Sequence, residues 1–319
     1  MRRASLLSAL LALLWAIAPG PAPAATPSGN GNGAVQPKTA AAPPKATPVK
    51  PRPPASKQAA VAPSARTPAT VPPTPTAAGP VLRLAVEGAY PPFSEVDAKG
   101  RLKGFDVEIA NALCAELAVR CQLVQRPWAV LQDAVLGLEP QLWNEVDAIV
   151  ASVSITDSRR RTADFTRRYY QVPARFLRRK GSGVEPVAGG LQGRRIGVQA
   201  STTHDQFATQ RFGGEAEIVR FETLPQAVAA LRDGRVDLVL ADALALDRGV
   251  LKTREGAGLE LCGPNFTDPQ WFGHGAGIAV KKGNRELVER LDAALDRIRA
   301  KGEHARIARA YFGFDIDPR

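Results

Sequence analysis

Three segments of the chain carry polar residues at spacings that could grip charged groups of a small molecule. The first is Ala151-Ser152-Val153-Ser154-Ile155-Thr156-Asp157-Ser158-Arg159, which follows an apolar strand candidate at 147–150. Side chains alternate along an extended segment, so Ser152 and Ser154 fall on one side, and Arg159 returns after a turn. Hydroxyls beside a guanidinium suit a carboxylate, because arginine donates two parallel charge-assisted hydrogen bonds where lysine cannot. Taken alone, Arg159 stands in a run with Arg160 and Arg161, and such a run is ordinarily a solvated face. The second segment is Gly197-Val198-Gln199-Ala200-Ser201-Thr202-Thr203-His204: a strand, a small-hydroxyl loop and a helix start, where free backbone N–H groups could hold an anion. A simple N-cap by Thr202 or Thr203 explains the same pattern equally well. The third is Asp242, directly after the apolar run 236–241, where an unpaired carboxylate would be costly and a ligand ammonium would satisfy it.

Each of these segments follows a strand candidate. Strand character occurs at 81–86, 121–125, 147–150, 175–178, 195–198, 217–221, 238–241 and 276–280, and helical spacing at 105–117, 129–138, 204–212, 225–232 and 286–302. In the first helix Phe105, Ile109, Ala112, Leu113 and Leu117 form the apolar stripe, and Asp106 is placed to favour the N-terminal end of the helix dipole. Strands alternating with helices predict parallel α/β sheets, and a second block of the same grammar near Arg194 predicts two lobes. Ligands of open α/β sheets lie outside the carboxyl ends of the strands, which singles out the loops 87–93, 151–161, 199–204 and 242–246.

The remainder of the sequence bounds the class. At 319 residues two cores are favoured over one. Residues 1–24 read as a Sec-type signal peptide: Arg2 and Arg3, an apolar run from Leu6 to Ala18, then Ala22-Pro23-Ala24 before the expected cleavage point. No cysteine follows that run, so no lipobox is present. Residues 25–80 are dominated by Pro, Ala, Thr, Ser and Lys and cannot bury enough apolar area to order themselves, so they predict a disordered linker. Most of the net charge of +11 resides in the leader and this linker: residues 1–80 hold eight Lys or Arg and no acid, leaving 34 bases against 31 acids, or +3, for the rest. The folded part is thus nearly balanced and lacks the basic–aromatic interleaving of a nucleic-acid binder. Cys114 and Cys121, seven apart, are too distant to bond along one continuous helix. An exported chain that folds back past the helix end would pair them, leaving Cys262 as a buried free thiol. The three histidines are scattered among single cysteines, so no metal site is expected, and no cofactor.

With these segments in place, the sequence resembles the bacterial extracellular solute-binding proteins of family 3, the amino-acid-binding components of ABC importers, and among them the lysine/arginine/ornithine and histidine branch. The resemblance spans 81–315. It is carried by Tyr90-Pro91-Pro92-Phe93-Ser94, Asp97-Ala98-Lys99-Gly100, Gly104-Phe105-Asp106-Val107, Ser154-Ile155-Thr156-Asp157-Ser158-Arg159, Asp237 with Asp242, Phe272-Gly273 with Gly275 and Gly277, and Ala310-Tyr311-Phe312-Gly313-Phe314.

The resemblance implies the two-lobed periplasmic-binding-protein fold of type II, each lobe a mainly parallel sheet flanked by helices, with a cleft between them. Lobe 1 would comprise 81–172 and 273–319, and lobe 2 would comprise 173–272. It implies a monomeric periplasmic protein that closes on a basic amino acid such as arginine, lysine or ornithine and presents it to a permease of the inner membrane, with no catalysis. Arg159 would clamp the ligand α-carboxylate with help from Ser154 and the backbone at Thr203, Asp242 with Ser152 would take the α-amino group, and Thr202 would also belong to the ligand-binding set. Tyr90 and Trp128 would stack on the side chain, and Glu87 would meet its cation. Hinges would lie near 171–173 and 273–277. The Cys114 and Cys121 spacing matches that branch. The sequence departs from it at Glu87, one methylene longer than the usual Asp, and at Ala151, which replaces a hydroxyl. It departs further at Gln199, where the branch keeps an apolar residue, over 136–145, which is longer, and in the Pro-rich segment. Two other readings of the fold are a tethered ligand sensor or scaffold, and a cyclohexadienyl dehydratase-like enzyme using Glu87 as an acid.

Overall fold

The computed structural model describes residues 79–317. The expected signal peptide and all but the last two residues of the expected linker lie outside the described residues. Two five-stranded sheets organise the chain. In the first, β1 (Val81–Val86) is the N-terminal strand, and a small antiparallel ribbon follows it: β2 (Ala89–Tyr90), β3 (Ser94–Val96) and β4 (Leu102–Lys103). The sheet is completed by β5 (Arg120–Gln125), β6 (Ala148–Ser154), β7 (Ala163–Phe165) and, from far along the chain, β13 (Ala276–Lys281), in the order β5-β1-β6-β13-β7. Its strands are apolar on both faces because helices cover both. Leu82, Leu84 and Val86 pack with Phe105, Ile109, Leu291 and Phe312, whereas Ala85, Ile149 and Val153 pack with Trp128, Leu131 and Val135.

The second sheet repeats this plan. Strands β8 (Ala174–Arg179), β9 (Arg195–Gln199), β10 (Glu217–Phe221), β11 (Leu238–Asp242) and β12 (Leu259–Phe266) lie in the order β10-β9-β11-β8-β12. Both sheets use one device to tie their strand starts: an aspartate at the head of one strand accepts from the backbone N–H and the guanidinium of an arginine on its neighbour. Asp147 does so for Arg83 and Asp237 for Arg195, with backbone N–H distances of 2.8 and 2.9 Å. These hydrogen bonds outweigh partial burial and hold both carboxyls below the usual range.

The chain passes from one sheet to the other between Tyr170 and Ala174 and returns between Phe266 and Ala276. The two passages lie side by side, since Tyr170 bridges Ala276. Because β8 and β13 enter their sheets antiparallel, both sheets are mixed, parallel at one end only, where sequence alternation alone predicted parallel sheets. The edge strands β7 and β12 escaped that reading, being short or interrupted by Gly263 and Pro264. The strand expected at 147–150 runs on to Ser154, so the expected loop from Ala151 begins only after it, and the expected helix 286–302 is Arg285–Ala300, followed past Gly302 at φ +72° by a further helix, Glu303–Phe312, that the sequence reading did not mark.

Cys114 and Cys121 are disulfide-bonded with Cα atoms 5.5 Å apart. The helix Phe105–Glu116 ends, Ala118 takes φ +53°, and Val119 N–H donates to the Cys114 carbonyl, so Arg120 starts β5 in the reverse direction. Cys262 is free and buried, which pushes its thiol up to about 11.

A candidate ligand cleft between two sheets

Glu87, Tyr90, Trp128, Ser152, Ser154, Arg159, Thr202, Thr203 and Asp242 all line one cavity of about 440 Å³, counting its mouth. The carboxyl ends of β1, β6, β9 and β11 meet around it, the location expected for open α/β sheets.

The wall from the first sheet is internally braced. Arg159, in the short helix Asp157–Arg160, is 2 % exposed although Arg160 and Arg161 beside it face solvent. Its Nη1 donates to the Ser154 carbonyl at 2.9 Å, its Nη2 to Gln132 Oε1 at 2.7 Å, and its Cζ lies 5.5 Å from the Trp128 ring centroid. Trp128 and Gln132 are one helical turn apart in Trp128–Val135, so one helix face supplies both the aromatic wall and the brace. Among the described residues Arg159 has no carboxylate partner, and burial pushes its guanidinium down to about 10, still cationic at neutral pH. A buried cation without a counter-ion is costly, so this group suits an anion brought from outside.

Ser152 is held differently. It takes φ +53° within β6, its N–H donates to Tyr169 Oη at 3.1 Å, and its hydroxyl donates to Asp106 Oδ2 at 2.9 Å. Tyr169 Oη donates to the other Asp106 oxygen at 2.8 Å. Asp106 stands in the first helical turn, as expected, but it is fully buried beneath the cleft floor, and burial raises its carboxyl to about 6. The Ser152 oxygen keeps lone pairs for a ligand N–H, though its own proton is committed. Tyr90 lies against Phe93, ring centroids 5.7 Å apart, and Phe93 stacks on Tyr170 at 4.9 Å.

The wall from the second sheet offers fewer free side-chain donors. Thr202 is the N-cap of the helix Thr203–Phe212: its hydroxyl accepts from Asp205 N–H at 3.1 Å and donates to the Gln199 carbonyl at 2.8 Å. Of the two readings of this segment the cap is realised, so Thr202 fronts the cavity with its side chain already engaged. Thr203, at the first helical position, keeps its N–H ahead of the intrahelical ladder. Asp242, at the end of β11, accepts from Tyr90 Oη at 2.9 Å, and His204 Nε2 lies 3.3 Å from its other oxygen.

Three hydrogen bonds join the walls: Tyr90 to Asp242, Trp128 Nε1 to the Ala200 carbonyl at 3.1 Å, and Gln199 Nε2 to Glu87 Oε1 at 2.7 Å. Glu87 is 4 % exposed, and burial raises its carboxyl to about 7; the Gln199 bond opposes this and Asp106 adds to it. The cleft thus carries one cation, Arg159, against the carboxyls of Glu87 and Asp242 with Asp106 behind them.

Sequence reasoning did not assign a site role to Asp106, Gln132 or His204, and it met Gln199 only within the second polar segment and as a departure from the resemblance. Gln132 left a signal, a polar residue on the otherwise apolar face of its helix. Asp106 and His204 left none, since a residue near a helix start has an ordinary capping explanation. Among the described residues no group of three or more His, Cys, Asp or Glu could hold a metal, and no helix is long and apolar enough to cross a membrane.

Comparison with known proteins bears on this geometry. The chain is 42 % identical over 237 residues to an L-arginine-binding protein of Pseudomonas aeruginosa, covering 74 % of this chain and 89 % of that one. It is 31 % identical over 236 residues to the histidine-binding periplasmic protein of Salmonella typhimurium, covering 74 % and 88 %. Among solved structures, a periplasmic binding protein of Salmonella typhimurium with high arginine specificity superposes with a TM-score of 0.65 at 27 % identity, covering 73 % of this chain and 99 % of that one. These relatives are binding proteins, and residues 82–314 match a single family throughout: the chain belongs to the bacterial extracellular solute-binding proteins, family 3.

Proposed function

We propose that the protein binds a basic L-amino acid in this cleft, without catalysis, and as a periplasmic monomer hands it to an ABC permease of the inner membrane. The observation that carries the reading is Arg159, buried and lacking a counter-ion, in one cavity with two carboxylates from opposite walls. An amino-acid carboxylate would take the Arg159 fork with help from Ser154 and the Thr203 N–H. Its ammonium would take Asp242 and the Ser152 oxygen. Tyr90 and Trp128 would flank the aliphatic stem, and Glu87 would meet the distal cation. A ligand of net charge +1 brings positive charge to a cleft whose carboxyls outnumber its one arginine, whereas a glutamate side chain would face Glu87 across low dielectric. The arginine- and histidine-binding relatives support the same ligand class.

The two walls would separate by hinge motion at 171–173 and 273–277, the passages that lie side by side, with 81–172 and 273–319 moving against 173–272. Ligand would dock on the braced wall and draw the second wall onto it, shifting the population toward the closed form that the permease reads.

The test is a melting curve of protein stripped of carried ligand by unfolding and refolding, recorded with arginine, lysine, ornithine, histidine, glutamine and glutamate. Ligand at 100 times its Kd adds about 2.7 kcal/mol, a shift of several degrees at this size. A rise with basic amino acids and none with glutamate is expected. If none of the six moves the melt, the amino-acid reading fails.

A further inference from the structure

Glu87 and Gln199 meet across the cleft, and Gln199 has a second tie. Its Nε2 donates to Glu87 Oε1 at 2.7 Å and to the Glu222 carbonyl at 3.1 Å. A carboxamide nitrogen carries two hydrogens, so both are engaged. Turning the amide over would set its carbonyl oxygen against a carboxylate and a backbone carbonyl, so these neighbours fix its orientation. What Gln199 retains is an oxygen that can only accept. That oxygen and Glu87 Oε2 have no hydrogen-bond partner among the described residues, and neither is among the buried unpaired atoms. Both are therefore reached from the cavity that the two residues line.

We infer that Gln199 is a specificity-determining residue: with Glu87 it forms a pair of acceptors, one from each wall, that selects a forked set of N–H donors on the ligand side chain over a single ammonium or a neutral amide. The inference rests on the basic-amino-acid reading and deepens it. A guanidinium presents several N–H groups in one rigid plane and serves two acceptors at once. An ammonium must divide one nitrogen between them. Once Glu87 is ionised, above pH 7, a ligand carboxamide brings its own acceptor oxygen to a place where neither residue has a free donor, and an unpaired polar atom in a buried site is costly; the comparison is therefore made above that pH. With an apolar residue at 199 the carboxylate would stand alone, served about equally by ammonium and guanidinium.

The experiment is calorimetric titration of the stripped, full-length protein with L-arginine, L-lysine and L-citrulline, for the wild type, Gln199→Leu and Gln199→Met. The wild type should bind arginine at least about tenfold more tightly than lysine, the size of one charge-assisted hydrogen bond, with citrulline weaker still. Both variants should bring the arginine-to-lysine ratio to within about threefold of unity, mostly by losing arginine affinity. Two isosteric variants guard against one that folds poorly. The ratio discriminates because loss of a mere closure contact weakens every ligand alike and leaves it unchanged. An unchanged ratio in both variants, or a wild type that prefers lysine, overturns the role of Gln199 while leaving the basic-amino-acid reading intact. A wild type that binds neither arginine nor lysine overturns that reading, and the role of Gln199 with it.

Discussion

The two walls of the cleft rise from sheets of matching strand order, yet they satisfy their polar groups in different ways. On the first wall the partners come from the same lobe: Arg159 is held by Gln132 and the Ser154 carbonyl, and Ser152 by Asp106 and Tyr169. On the second wall Thr202 is likewise held within its lobe, but three groups also take partners from across the gap: Asp242 accepts from Tyr90, Gln199 donates to Glu87 as well as to the Glu222 carbonyl, and the Ala200 carbonyl accepts from Trp128. One wall is a finished platform, and the other is completed by closure. A group braced within its own lobe is in position before the ligand arrives, so little ordering entropy is lost on binding.

The largest expected effect separates the walls directly. Arg159→Met should weaken amino-acid binding by more than about a hundredfold, because it removes a preorganised fork whose hydrogen bonds are charge-assisted. Asp242→Asn should cost about tenfold, because the asparagine oxygen still accepts from Tyr90 and from a ligand ammonium. Calorimetric Kd values for the two variants check this, and a larger loss at Asp242 would reverse the assignment of platform and closing wall.

Closure itself is exposed at Gly249, in the segment Asp247–Leu251 of the second lobe, where an added Cβ would overlap the Pro91 carbonyl oxygen of the first. Gly249→Ala should weaken all ligands in common by about tenfold while leaving the unliganded melt nearly unchanged, since backbone cannot yield as a flexible side chain would. Small-angle scattering with saturating ligand should show a more open particle than the wild type. Equal compaction would mean that the lobes do not meet at Gly249.

The smallest effect is a pH dependence. Glu87 titrates at about 7 in the closed protein against 4.5 for an ordinary glutamate, so between these values the folded state binds the extra proton. Stability of the protein, to the extent that it closes without ligand, should therefore be greatest toward the lower value and should fall as pH rises through 7, by up to about a few degrees of Tm. Affinity for a cationic ligand should run the other way, rising as Glu87 ionises. Glu87→Gln should remove the fall nearest pH 7 and leave the part below about 6 that the buried Asp106 carboxyl contributes; a fall through 7 that persists in the variant would assign it to another group.

Much of this was legible before the fold. The nine cleft residues were marked by position after strand candidates and by a family pattern, and local chemistry carries both signals. Asp106 shows the limit. From the sequence it is an acid near a helix start, and helix-dipole reasoning explains it fully. Only packing reveals that the helix start is sealed beneath β6, where Asp106, still in the first turn, also orients Ser152 and Tyr169. Thr202 shows the converse: its type allowed both a cap and a ligand contact, and the geometry of Gln199 and Asp205 engages its hydroxyl in the cap.

The sequence by itself determined the alternation of strands and helices, the placement of hydroxyls, Arg159 and Asp242 at strand ends, and the Cys114–Cys121 bridge, because each depends on residues close along the chain. The tertiary structure alone decided that β8 and β13 enter their sheets antiparallel, that Gln132 braces Arg159, and that Glu87 and Gln199 share a hydrogen bond. Those pairings join residues tens to more than a hundred positions apart, and no local periodicity or propensity records which distant groups two closing lobes will bring into contact.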